Sequence, residues 1–128
     1  MHFFNEHSKK YFIKEGIIYK KNITDKTTKK VTDFYKVAPF PNYKSNDNKA
    51  TILEKGDRNF LSFEFKKLIG YKKNILEVGC GTGQMSNYFA IGTNNYVVGL
   101  DPTIESLKLA SDFVEKNNIN NIEFINAD

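Results

Sequence analysis

Three observations predict an α/β fold built on a parallel, doubly wound sheet. Short apolar runs at about 74–79, 96–101 and 122–128 each carry a carboxylate at or near their C-terminal end. Helix-period stretches separate these runs, the alternation expected of βαβ units with right-handed crossovers. A glycine-rich turn, Gly79-Cys80-Gly81-Thr82-Gly83, joins the first run to the following helix. Together these describe the first three parallel strands of a Rossmann-like sheet, preceded by a β-rich or irregular extension.

The elements follow in order. Tyr11–Ile13 and Gly16–Tyr19 are short β-prone runs within what reads as a β-hairpin or small β-rich extension. Residues 22–30 read as a polar turn, and Val31–Val37 could pair back onto the first run. Ala38-Pro39-Phe40-Pro41-Asn42-Tyr43 cannot be helical across its prolines and reads as extended or turning chain. Its aromatics are expected to anchor it to the domain surface, with substrate gating as the weaker reading. Ser45–Lys49 reads as a linker.

Residues 57–70 read as a helix capped by Asp57, with Leu61, Phe65, Leu68 and Ile69 at helical spacing and Gly70 as its stop. The first strand of the core, 74–79, reads as buried. A short helix is expected at 83–90, with Met85, Phe89 and Ala90 toward the sheet and Gly92 ending it. After the second strand, 96–101, a helix over 102–117 presents Ile104, Leu107, Ala110 and Val114, widened by Leu109 and Phe113. Asn117-Asn118 breaks it. The third strand spans 122–128. The domain reading is an extension over 1–56 and a partial ligand-binding domain over 57–128. A doubly wound sheet needs further strands beside the first one, so the chain is expected to be a truncated piece with one bare sheet edge, the less favoured alternative being that the N-terminal segment fills that place.

The chemistry concentrates at the strand ends. Glycine lets bare backbone approach a ligand and adopts φ > 0 without a steric penalty, and the next helix turns free N–H groups toward the same spot. The spacing is G-x-G-x-G, with Gln84 where a dinucleotide fingerprint would place a later glycine. Glu77, just before the loop, would repel a pyrophosphate and attract an amino group. Asp101 lies 22 positions after Gly79, the spacing at which an acidic residue accepts from ribose hydroxyls in nucleotide-binding βαβ units. Asp101 also precedes Pro102, so a plain helix cap is the competing reading. Asp128 ends the third run, where an exposed terminal residue is the plainer reading.

Ile75-Leu76-Glu77-Val78-Gly79-Cys80-Gly81-Thr82-Gly83-Gln84 resembles motif I of the class I S-adenosylmethionine-dependent methyltransferases. The resemblance covers about residues 74–128. It implies S-adenosyl-L-methionine as cofactor, contacted by Glu77, Gly79, Cys80, Gly81, Gly83, Gln84, Asp101, Pro102, Ala127 and Asp128. Asp128 would accept from the adenine amino group. It implies transfer of the sulfonium methyl by in-line displacement to an acceptor that the motifs do not identify. Catalytic groups of this family usually lie beyond the fourth strand, and no credible catalytic residue is found here. Two other readings stand beside it. One is a cofactor- or partner-binding module without catalysis. The other is an NAD(P)-dependent oxidoreductase, disfavoured by Gln84 and Glu77.

Charge divides as the domains do. Residues 1–73 hold 17 Lys and Arg against 8 Asp and Glu, and residues 74–128 hold 2 against 7. A basic extension beside an acidic crevice is compatible with an anionic substrate or nucleic acid. The lysines are interleaved with polar residues, however, so a solvated surface is favoured over a nucleic-acid interface. Cys80 is the only cysteine, which excludes an internal disulfide and a cysteine metal cluster. It reads as a small side chain fitting the turn, since His2 and His7 stand far off in sequence as bases. No apolar run of about 18 residues and no signal-peptide pattern are present, so a cytoplasmic location is expected, with no metal and no membrane partner.

Overall fold

The computed structural model describes residues 10–20 and 26–128. Strands β1 (Tyr11–Lys14) and β2 (Ile17–Lys20) form an antiparallel hairpin. Its two turn residues, Glu15 and Gly16, both have positive φ, 51° and 74°, as a tight two-residue hairpin requires. Helices α1 (Lys26–Val37), α2 (Lys49–Arg58) and α3 (Phe60–Ile69) follow. Then come β3 (Asn74–Val78), α4 (Gln84–Ala90), β4 (Tyr96–Asp101), α5 (Ile104–Lys116) and β5 (Ile122–Asn126).

One five-stranded sheet has the order β1-β2-β5-β4-β3, with every pair parallel except the hairpin. The β-prone runs at 11–13 and 16–19 are therefore strands. They extend the sheet beyond β5, through Ile18 opposite Ile125 and Tyr19 opposite Asn126, and not beside β3. From residue 74 onward each expected element is present within about two residues of its expected bounds.

The two faces of the sheet differ. One packs Ile17, Val97, Ile122 and Phe124 against Ile52, Tyr88, Leu107, Ala110 and Phe113 of the helices. Each such large side chain contributes about 1.5–3 kcal/mol on full burial. The other face gathers Ile18, Ile125 and Ala127 with Tyr11, Ile13, Val98 and Leu100. All of these lie on strands or at a strand end. On β3, Leu76 is 62% exposed and Val78 72%, so this strand is not the buried one its apolar composition suggests. Among the described residues no strand pairs with its outer edge.

The region before residue 70 differs from expectation in three ways. Residues 26–37 form helix α1 and not a turn and strand. The hairpin has already supplied β1 with its partner, and Val31, Phe34 and Tyr35 recur at helical spacing. The Thr32 hydroxyl donates to the Thr28 carbonyl inside this helix. Second, residues 49–58 are a helix. Asn48 caps it by accepting from the Ala50 and Thr51 amides, and the Thr51 hydroxyl accepts in return from the Asn48 amide. This reciprocal pair satisfies N-terminal donors that would otherwise lack partners.

Third, the helix expected over 57–70 starts later. Asn59 breaks it and caps α3 through the Ser62 amide. Asp57 sits in the last turn of α2, where its carboxylate accepts from the Tyr88 hydroxyl at 2.8 Å. Leu61, Phe65 and Leu68 of α3 are exposed, and only Ile69 of that expected stripe reaches the core. His2, His7 and residues 21–25 lie outside the described residues.

Candidate functional site

The glycine loop is held by the strand next to it. The Gly79 and Cys80 amides both donate to the Leu100 carbonyl, at 2.8 and 3.1 Å, and the Gly81 amide donates to Asp101 Oδ2 at 2.9 Å. The loop is therefore tied to the C-terminal end of β4. Gly83 closes it, donating to the Cys80 carbonyl and starting α4.

Two of the glycines serve different needs. At Gly83 (φ +72°) a Cβ would stand 2.8 Å from the Phe124 ring and 3.0 Å from Ala110 Cβ, so its role is close packing of loop on core. At Gly79 (φ +75°) a Cβ would meet nothing within 4 Å. Gly79 thus leaves its backbone open on the side of the cavity it lines.

The three carboxylates occupy distinct settings. Glu77 accepts from the Ser86 hydroxyl in a short hydrogen bond. Burial pushes its carboxyl above the ordinary value. The Ser86 hydroxyl and amide oppose that shift, and the charge of Asp101 adds to it. Asp101 is buried; beyond Gly81, its Oδ1 accepts from the Thr103 amide at 2.8 Å. It is not the cap residue of α5, which is Thr103. Asp128 accepts from Lys20 Nζ at 2.5 Å, so the end of β2 holds it. Asn126 joins the neighbouring strand ends, its side-chain amide donating to the Asp101 and Pro102 carbonyls. The Ala127 amide also donates to the Asp101 carbonyl, at 3.3 Å.

Cys80 is buried. Burial first, then the carboxylates of Asp101 and Glu77, drive its thiol far above the usual range. Burial among these carboxylates favours the neutral thiol, which fills space beneath the turn.

The proline–aromatic segment lies directly on the loop, a placement its composition did not reveal. The Thr82 hydroxyl donates to the Pro41 carbonyl in a short hydrogen bond. Gln84 Nε2 donates to the Asn42 carbonyl at 3.0 Å. Tyr43 donates its hydroxyl proton to the Thr82 carbonyl and accepts from Asn87 Nδ2, both at 2.9 Å, while its ring stacks on Phe113 at 4.5 Å. A Cβ at Gly81 would come within 2.8 Å of the Phe40 carbonyl oxygen. These aromatics thus include an anchor for the glycine loop. Tyr43 is the surface anchor expected of this segment, while Ser86 is the residue missed from sequence. The serine at the third position of α4 was a readable signal, since it faces back along the helix toward Glu77.

A cavity of about 470 Å³ opens between the loop, α2 and this segment. Glu77, Gly79, Cys80, Gly81 and Gln84 line it, together with Tyr35, Phe40, Ile52 and Met85. Met85 therefore turns to the cavity, 38% exposed, and not to the sheet. The interior side of α4 is filled by Tyr88 and Phe89. Asp101, Pro102, Ala127 and Asp128 lie along the adjoining ends of β4 and β5, outside the cavity lining. Among the described residues no cluster of metal-ligating side chains occurs, and no helix is long and apolar enough to cross a membrane.

A parallel sheet with a glycine loop after one strand and an acidic tip on the next defines a nucleotide-type binding fold. Residues 75–128 match the family model described as a methyltransferase domain. The match covers less than half of the chain, and over that segment the chain is similar to the S-adenosylmethionine-dependent methyltransferases.

Solved structures agree on the fold. The 4+2 cyclase SpnF aligns with a TM-score of 0.53 and 19% identity, covering 84% of this chain and 44% of its own. A protein from Methanococcus maripaludis assigned as an S-adenosyl-L-methionine-dependent methyltransferase aligns with a TM-score of 0.50 and 18% identity, covering 84% and 45%. Coclaurine N-methyltransferase, bound to N-methylheliamine and S-adenosylhomocysteine, aligns at 0.50 and 18%, covering 68% and 25%. The chain spans less than half the length of each. No curated protein matches it.

Proposed function

We propose that this chain carries the cofactor half of an S-adenosyl-L-methionine-dependent methyltransferase. The observation that supports it most is the open space at Gly79, flanked by the Glu77 carboxylate, at a loop that Asp101 steadies. A compact cationic amino acid moiety suits that carboxylate. When bound, the cofactor supplies an activated methyl group.

The chain's own residues then divide the work. Glu77, poised by Ser86, would hold the ammonium end. Gly79, Cys80 and Gly81 would offer backbone, with Gly83 and Gln84 fixing the loop behind them. Asp101 and Pro102 would hold the ribose side, and Ala127 and Asp128 the adenine side, where Asp128 is shared with Lys20. In this reading residues 57–128 form the binding domain and residues 1–56 an extension whose hairpin and loop-bound segment complete it. The acceptor and the catalytic groups are not assigned.

Fold alone does not specify methylation; a 4+2 cyclase shares it. Calorimetric titration of S-adenosylmethionine, S-adenosylhomocysteine and NADH into the chain separates the readings. Binding of the two sulfur ligands without NADH supports the proposal. Binding of NADH alone would sink it in favour of an oxidoreductase.

A further inference from the structure

We propose that the cavity wall formed by Tyr35, Phe40, Ile52 and Met85 is an acceptor subsite for a small aromatic molecule that is neutral or cationic. The inference rests on the cofactor reading and deepens it.

The position comes first. The cavity touches Glu77 and Gly79–Gly81, the residues assigned to the methionine end, and none of those assigned to ribose or adenine. Whatever shares this space with the cofactor meets the end that carries the methyl group. The cavity's volume of about 470 Å³ would be shared between the methionine end of the cofactor and a small molecule lying against the apolar wall.

The apolar wall is built and waiting. Phe40 is 74% exposed, and Tyr35 and Met85 are each exposed by more than a third. The Phe40 backbone is nonetheless fixed, because the following carbonyls of Pro41 and Asn42 are bonded to Thr82 and Gln84. An exposed aromatic ring carried on a fixed backbone at the edge of a cavity gains burial and ring-stacking contact when a flat apolar ligand enters.

Charge selects the ligand's sign. The charged lining residues are Lys55 and Glu77. Both oxygens of the buried Asp47 carboxylate accept from Lys55 Nζ at 2.8 Å, so that ammonium is already neutralised by its partner. Two neutral polar side chains of the lining are engaged as well, with Asn59 Oδ1 accepting from the Ser62 amide and Gln84 Nε2 donating to the Asn42 carbonyl. An anionic acceptor would find no uncommitted cation in this wall and would face Glu77. A neutral ring or an amine meets no such repulsion.

Ligand-observed NMR with phenethylamine and phenyl phosphate tests this, run with and without saturating S-adenosylhomocysteine on the wild type, Phe40→Ala and Tyr35→Ala. Both side chains are exposed, and retained thermal unfolding midpoints would show that the variants fold. Phenethylamine is expected to bind at least tenfold more tightly than phenyl phosphate. Each substitution should weaken it about fivefold while S-adenosylhomocysteine affinity, read by calorimetry, stays within twofold. Equal or tighter binding of phenyl phosphate, or phenethylamine binding indifferent to both substitutions, overturns the subsite. A folded wild type that fails to bind S-adenosylhomocysteine overturns the cofactor reading instead, and the acceptor role falls with it.

Discussion

Gly81 donates its backbone N–H to the Asp101 carboxylate across 2.9 Å, tying the loop after β3 to the tip of β4. The other Asp101 oxygen accepts from the Thr103 amide. The residue singled out for ribose binding is thus also a brace of the loop. Asp101→Ala is expected to destabilise the fold by about 1–3 kcal/mol, since two amides lose their acceptor. S-adenosylhomocysteine affinity should fall at least tenfold. Urea denaturation and calorimetry on the same sample separate the two effects.

The glycines should respond differently to one added methyl. Gly83→Ala forces a Cβ to within 2.8 Å of the Phe124 ring at a left-handed φ, so about 2–4 kcal/mol of stability should be lost from overpacking and strain together. Gly79→Ala meets open space and should cost only the backbone term, about 1–2 kcal/mol. Its larger effect should be on ligand affinity. Denaturation midpoints that fall equally for both would contradict this division.

Glu77 predicts a pH dependence. Its carboxyl titrates above the ordinary value, chiefly through burial. A raised folded-state pKa means the folded chain binds that proton more tightly than the unfolded chain does. Stability from this group is therefore full below the ordinary carboxylate value and is lost as pH rises through the folded pKa. An ammonium ligand reverses the preference by favouring the carboxylate. S-adenosylhomocysteine affinity should then weaken as pH falls through this titration, with proton release on binding. Glu77→Gln should abolish both, as calorimetry in buffers of different ionisation enthalpy would reveal. Ser86→Ala removes one opposing hydrogen bond and should move the pH midpoint upward.

The Tyr43 hydroxyl supports the loop from the far side. Tyr43→Phe keeps the stack on Phe113 but leaves the Thr82 carbonyl and Asn87 without that partner. A loss of about 1–3 kcal/mol is expected. Faster amide exchange should appear at residues 80–84. Unchanged exchange there would mean the segment rides on the loop without steadying it.

Much of this arrangement was legible because local and global signals coincide after residue 74. The runs before Gly79 and Asp101 are apolar, β-branched and bounded by turn residues, so element type and tertiary place agree. The β-prone composition of residues 11–13 and 16–19 was readable in the same way, whereas their Glu15-Gly16 turn was not singled out. Helix α2 was not, because its signal lies in the Asn48–Thr51 capping pair amid polar residues. Its Gly56, which looks like a breaker, is required by the Tyr88 ring, 2.2 Å from where a Cβ would stand. Helix α1 offered β-prone Val31 and Val37 at ends of a stretch with no buried residue, so composition misled where the 3–4 spacing did not. Apolar content also failed to report that Leu76 and Val78 would be exposed, because exposure depends on which elements pack across a face. The contact of residues 40–43 with the loop is long-range and leaves no trace in local pattern.

The most direct test of the central claim is backbone amide NMR of the labelled chain with added S-adenosylhomocysteine. The account predicts saturable shifts at Gly79, Gly81, Gln84, Asp101 and Thr103, with the tip of β5 following. Shifts confined to other surfaces, or none in a folded chain at millimolar ligand, would contradict it.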